Sequence, residues 1–180
     1  LENISASPAR FDIKKLFWVN AQHIKSYKAE KLEKLIKEIW LNPNTDRGIQ
    51  IQDAFNNKPL LKLTDVIEFV KPRVDNINAL ADECSYFYLP KVVNQNDNDQ
   101  HLTPRAIEIL KNFSHSLAAL NTWTIESIKQ MIKEFCQTQN IKMPELGMPI
   151  RLKLCGTTQT PSFDQIILML GKEEVLLRLK

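Results

Sequence analysis

One arginine and one hydroxyl-rich loop carry most of the binding chemistry this sequence offers. In MPIRLKLCGTTQTPSFDQIILMLGK, from Met148 to Lys172, Arg151 stands one turn ahead of a tight loop of Gly156, Thr157, Thr158, Thr160, Pro161 and Ser162, flanked by short apolar segments. Hydroxyls and exposed backbone N–H groups beside a helix start suit a nucleotide base or a phosphate. An arginine before such a loop can stack on an unpaired base or hydrogen-bond to it. The same composition also serves simply to cap helices, so residue types alone leave both readings standing.

Arg73 is the second candidate. It follows Lys71-Pro72, where the apolar stripe of Leu60, Leu61, Leu63, Val66, Ile67 and Val70 must end or kink, because proline disfavours helical geometry in the residue before it. The next helix is predicted to start near Arg73, with Val74, Ile77, Leu80, Ala81 and Cys84 inward. A cation gains nothing from the N-terminal end of a helix dipole. Arg73 therefore either reads a base edge or a carboxylate, or is a partly stacked surface arginine.

Chemistry beyond binding finds no support. His23, His101 and His115 have no cysteine or carboxylate at metal-ligand spacing and read as surface or packed side chains. Glycines at 48, 147, 156 and 171 cannot build a phosphate loop of either common type. Serine and cysteine nucleophile signatures are missing. The odd, widely spaced Cys84, Cys136 and Cys155 exclude a full disulfide framework and suit a reducing cytosol as buried apolar side chains. A net charge of +3 leaves room for a nucleic-acid partner whose recognition is local.

The elements that must position these residues read as helices. With 43% apolar and 25% charged residues the chain falls in the globular class, and only 4 glycines disfavour a hairpin-rich strand protein. The first ten residues read as a connector, and the non-methionine start at Leu1 suggests a piece of a longer protein. Asp12 caps the first helix with Phe11 as a staple on Leu16, and Leu16, Phe17 and Ile24 share a face; Trp18 meets a second surface or is exposed. Leu32, Leu35, Ile36 and Ile39 mark the clearest stripe, beside a row of Lys28, Lys31, Lys34 and Lys37 read as a solvated face with Glu/Lys pairs.

Residues 42–57 read as a loop with one short helix, and 94–101 as a polar loop at a subdomain boundary. Helices open at Thr103-Pro104 and Trp123-Thr124, with Trp123 placed to staple onto Ile128. Residues 137–147 read as a connector, and three short apolar segments at 150–154, 166–170 and 175–179 as short helices, with Gly171 as a C-cap. Eight to ten helices in two packed groups are expected, with no membrane span.

Three stretches resemble the C-terminal, anticodon-binding part of bacterial glutamyl-tRNA synthetases: FDIKKLFWVNAQHIK (Phe11–Lys25), VKPRVDNI (Val70–Ile77) and MPIRLKLCGTTQTPSFDQIILMLGKEEVLLRL (Met148–Leu179). The resemblance spans nearly the whole chain and implies an all-α fold, two small helical subdomains forming an anticodon-binding cage. It implies the end of a stem-contact region over 1–28, a first subdomain over 29–95 and a second over 96–180. Arg73 matches the family's arginine for the third anticodon base, which helps separate glutamate tRNA from glutamine tRNA. Arg151 matches a second anticodon-contacting arginine, and Thr160 and Phe163 match loop positions near the anticodon, although the family often has leucine, alanine or isoleucine at the latter.

The two arginines are accordingly expected to approach the same bases from separate subdomains. The implied partners are the anticodon loop of a glutamate-accepting tRNA and an upstream class I catalytic domain in the same chain, whose motifs do not occur here. No cofactor is expected in this piece; ATP and magnesium belong to the parent enzyme, a cytoplasmic monomer without membrane association. The alternative is a helical protein-interaction domain.

Overall fold

A computed structural model of the chain describes residues 12–41, 46–57 and 61–180. Among them the backbone forms eleven α-helices and no strand, as the all-α expectation required. They are α1 Ile13–Ser26, α2 Ala29–Trp40, α3 Asp46–Asn56, α4 Leu63–Val70, α5 Ile77–Tyr88 and α6 Gln95–His101. There follow α7 Pro104–Ala118, α8 Ile125–Thr138, α9 Met143–Cys155, α10 Phe163–Leu170 and α11 Lys172–Arg178. A single 3-10 turn, Lys71–Arg73, follows α4.

Local chemistry fixes the helix ends. The Asp12 carboxylate accepts from the Lys15 amide at 3.1 Å and Thr103 accepts from Ala106 ahead of Pro104. Thr124 and Ser127 form a reciprocal capping box. Gly156 and Gly171, at φ 75° and 79°, close α9 and α10 in a conformation costly for other residues. The proposed Phe11 staple lies outside the described residues.

Apolar stripes then join these helices. Leu32, Ile36 and Trp40 of α2 bury themselves against α4 and α5, and Phe113 of α7 meets Phe135 of α8 edge-on at 5.2 Å. Burial of each such side chain stabilises by roughly 1.5–3 kcal/mol. Two aromatic donors within this core find backbone partners: Trp40 Nε1 donates to the Ala81 carbonyl at 3.1 Å, and the Tyr88 hydroxyl to the Leu61 carbonyl at 3.0 Å. One group gathers α2 to α5, a second α6 to α11, and α5 packs on α9 between them, so a continuous core runs through both. On the lysine row, Lys37 pairs with Glu33 at 2.6 Å and Lys31 lies over the Tyr27 ring.

Several elements differ from the sequence reading. Residues 95–101 are a helix, because Asn94 caps the Asp97 amide and Gln95 reaches Asp99 one turn on, yet no residue is buried and so no apolar stripe announces it. Residues 46–56 make a full helix with Ile51 as its buried anchor. Within the supposed connector α9 already begins at Met143, with Pro144 in the tolerant first turn and Glu145 Oε2 accepting from the Lys142 amide, and it runs through Pro149. Leu16 and Phe17 are exposed while Ile24 is buried, and Trp18 is 63% exposed. Trp123 lies against the core and donates Nε1 to the Leu168 carbonyl at 3.4 Å.

The seam between the groups is held by Arg178, whose side chain is only 5% exposed. Its Nη1 donates to the carbonyls of Tyr86 (2.7 Å) and Leu154, Nη2 to Phe87 (2.6 Å), and Nε to Glu174 (2.5 Å). One guanidinium thus serves the C-terminal carbonyls of both α5 and α9, which the helices themselves leave unpaired. Substituting Arg178→Met removes that fork and strands its acceptors. Urea unfolding is expected to show a loss of about 3–5 kcal/mol, the scale for breaking a buried charge network.

Candidate nucleic-acid interface

Arg151 lies in the last turns of α9, half-buried, with its guanidinium carbon 5.3 Å from the centre of the Phe163 ring. That separation is within cation–π range. Phe163 is itself 7% exposed, so its ring serves chiefly as a support for the arginine. Burial lowers the Arg151 pKa, the nearby Arg73 charge lowers it further and Asp164 opposes them. A guanidinium stays protonated throughout, so these influences mark a partly desolvated group with a like charge at Arg73 and an opposite one at Asp164 within electrostatic reach.

Arg73 is exposed at the end of the 3-10 turn. Contrary to the sequence reading, it does not start a helix. The Asn76 side chain accepts from the Ala79 amide at 2.8 Å and starts α5 at Ile77, so the residues between form an extended corner that keeps Arg73 off the helix dipole. Its charge acts on Glu83 and Tyr86 of α5 as well as on Arg151. Burial raises the Glu83 pKa, with Lys91 and Arg73 pulling the other way, and the Tyr86 hydroxyl donates to its carboxylate at 3.3 Å. Lys91 pairs with Asp82 at 2.5 Å.

The loop after α9 is braced from within. The Thr157 hydroxyl accepts from the Gln159 amide at 3.2 Å, the Thr160 hydroxyl donates to the Pro161 carbonyl at 3.0 Å, and Ser162 donates to Asp164. Lys129 approaches the same buried Asp164 at 3.8 Å. Gly156 is obligatory: its φ is positive, and a Cβ there would overlap the Lys91 carbonyl. The Lys91 amide also donates to Cys155 at 2.9 Å, so residues between α5 and α6 lie directly against the loop.

Arg151 and Phe163 are therefore in contact, Arg73 stands at the corner before α5 within electrostatic reach of Arg151, and Thr160 stands half-buried in the adjoining loop. Gly147, Glu83, Lys91 and Asp164 complete the surroundings and were not picked out from sequence. Asp164 carried a weak signal as an acid in the first turn of α10, and Gly147 as a glycine one turn before Arg151.

Arg151 seated on Phe163 beside the braced loop, with Arg73 exposed at the neighbouring corner, gives this helical scaffold a cationic surface complementary to acceptor groups. The chain belongs to the anticodon binding domain family, whose model matches residues 31–180. It is 40% identical to a glutamate-tRNA ligase of Neisseria meningitidis serogroup C and 42% identical to that of Chromobacterium violaceum, the whole chain aligning with 37% of each relative. It thus spans little more than a third of those proteins. The crystal structure of a glutamate tRNA ligase from Elizabethkingia meningosepticum in complex with its amino acid shares the fold, with a TM-score of 0.74 at 20% identity over 98% of this chain and 33% of that one. A glutamate-tRNA synthetase from Elizabethkingia anophelis superposes with a TM-score of 0.69 at 20% identity, over 96% of this chain and 32% of that one.

Two outcomes follow from the local geometry. Gly156→Ala forces the Lys91 carbonyl away, so faster amide exchange at Lys91 is expected together with a lowered melting temperature. Because the folded-state pKa of Glu83 is raised, the wild type loses stability relative to the unfolded chain as pH climbs from 4.5 through that raised value. Glu83→Gln removes this loss, and its stability relative to wild type is expected to grow between pH 4.5 and neutrality in urea titrations.

Proposed function

We propose that this chain reads the anticodon of a glutamate-accepting tRNA as the C-terminal part of a glutamate-tRNA ligase. The observation that carries the reading is the Arg151 guanidinium seated on the Phe163 ring beside the braced loop, with the Arg73 charge within electrostatic reach from the other helix group. Family membership and the relatives' names point the same way. Unpaired anticodon bases are RNA targets whose edges a side chain can reach. Arg73 donates to the acceptors of a pyrimidine at the third anticodon position; guanine would set N–H donors and a larger ring against the same guanidinium.

Arg151, Thr160 and Phe163 form the second half of the reading head, Phe163 by supporting the arginine. Residues 1–28 end a stem-contact region, and 29–95 and 96–180 are the two halves of the cage. In the complete enzyme an upstream class I domain joins glutamate to tRNA with ATP and magnesium, and none of the residues named here serves those groups. We place that enzyme in the cytoplasm as a monomer. Weak overall basicity fits, since upstream domains would hold most of the tRNA backbone.

Binding of tRNA to the full-length ligase tests the reading. Arg73→Ala and Arg151→Ala are each expected to weaken glutamate tRNA by about 1–3 kcal/mol, the usual worth of a base-reading arginine. Placing guanine at the third anticodon position should weaken wild type and Arg151→Ala but change little in Arg73→Ala. Unchanged affinity and unchanged discrimination in both variants would leave the protein-interaction alternative in place. The isolated chain is expected to bind tRNA weakly, with strong salt dependence, and to show no glutamylation.

A further inference from the structure

Gly147 sits inside α9, buried, and its φ is not among the positive values, so neither a turn nor a left-handed backbone requires glycine there. Helix interiors penalise glycine relative to alanine, and something other than the backbone must account for its presence. The space around it supplies the reason. A Cβ on Gly147 would lie 3.0 Å from Arg151 Nη1 and 3.1 Å from Phe163 Cε1.

Helical side chains lean toward the N-terminus and cover the turn before their own Cα. Arg151 does so, and its guanidinium folds back over the position one turn earlier, between the α9 backbone and the Phe163 ring. Phe163 is buried and cannot retreat freely, so a methyl group at 147 must displace the arginine by a few tenths of an ångström. A long side chain absorbs that shift without unfolding the helix. Base recognition by a planar donor fork depends on where the fork stands.

We infer that Gly147 is a positioning residue for anticodon reading: its missing side chain seats the Arg151 guanidinium on Phe163 in the orientation from which it reads a base. The inference rests on the function proposed above for Arg151. It adds a specificity determinant on α9 outside the loop and the arginine pair.

The test uses Gly147→Ala, Phe163→Leu, the double variant and Arg151→Ala in the full-length ligase, with a glutamate tRNA anticodon stem-loop as the probe. In Gly147→Ala the melting temperature is expected to hold or rise, since alanine favours the helix, while stem-loop affinity falls roughly threefold to tenfold. A glycine needed only for packing would lower both together, and that result overturns the inference. In Phe163→Leu the shortened side chain leaves room for the methyl group, so adding Gly147→Ala is expected to cost little further affinity; a fully additive loss counts against the clamp.

An RNA-free measurement separates this inference from the functional reading. The Arg151 Nε–H resonance should carry a ring-current shift in wild type that changes in Gly147→Ala and disappears in Phe163→Leu. An unchanged resonance in Gly147→Ala overturns the positioning role even if Arg151→Ala weakens the stem-loop. If instead Arg151→Ala binds like wild type, the anticodon role of Arg151 fails, and the assignment of Gly147 to specificity fails with it.

Discussion

The arrangement of the binding seam depends on a single buried guanidinium. Arg178 draws the C-terminal carbonyls of α5 and α9 onto one planar fork, with Glu174 balancing its charge. Helix C-termini carry partial negative charge and unpaired acceptors, so a cation there is stabilised by several dipoles at once and the desolvation of burying it is offset. The geometric effect matters as much as the energy. α5 starts just after the corner that holds Arg73, and α9 carries Arg151 near its end, so tying these two helices together fixes the relative positions of the arginines. A lysine could not do this, since its compact ammonium lacks the fork that reaches three carbonyls in one plane.

Holding two arginines near each other has an electrostatic cost that the surroundings meet locally. Asp164 faces Arg151 from the start of α10, and Glu83 faces Arg73 and Lys91 from α5. Each carboxylate is itself engaged, Asp164 by Ser162 and Lys129 and Glu83 by the Tyr86 hydroxyl, so neither is free to collapse onto an arginine and neutralise it. In the anticodon-reading function proposed above, cations held in positions set by the fold meet the partner's acceptor groups already in place. Pre-organisation of this kind reduces the ordering cost that binding would otherwise incur.

How much of this was legible in the sequence depended on whether a signal was local. Caps at Asp12, Thr103 and Thr124 and the C-cap at Gly171 each rest on residues a few positions apart and stand where the pattern placed them, whereas the α2 stripe holds at Leu32 and Ile36 but leaves Leu35 exposed and buries Trp40 instead. The polar helix α6 escaped because helices are recognised by an apolar face and it has none; side-chain caps and packing on α9 form it instead. The start of α9 lay within residues 137–147, read as a connector; Pro144 is tolerated at a helix start, and Pro149 lies among buried neighbours that hold the helix through it. Arg73, Arg151 and Phe163 were visible as residue types, but their company was not. Gly147 and Arg178 matter through contacts made across the fold, and no spacing rule reports those.

The Arg73 corner is fixed from a third direction as well. Lys71, the first residue of its 3-10 turn, donates to the Tyr27 carbonyl at the end of α1 at 3.3 Å and pairs with Glu68 at 2.6 Å, and α1 packs on this same turn. Most of α1 is exposed, with Ile24 as its buried residue, so its attachment to the rest of the structure is concentrated at its C-terminal end. The corner is therefore bounded by α4 before it, by the Asn76-capped start of α5 after it, and by α1 alongside. A tight turn confined on three sides has few alternative backbone conformations, which fixes the point from which the exposed Arg73 side chain projects. Rigidity at this position comes from the backbone, while at Arg151 it comes from packing against a ring. The two halves of the seam thus reach the same end by different physical means, joined through Arg178.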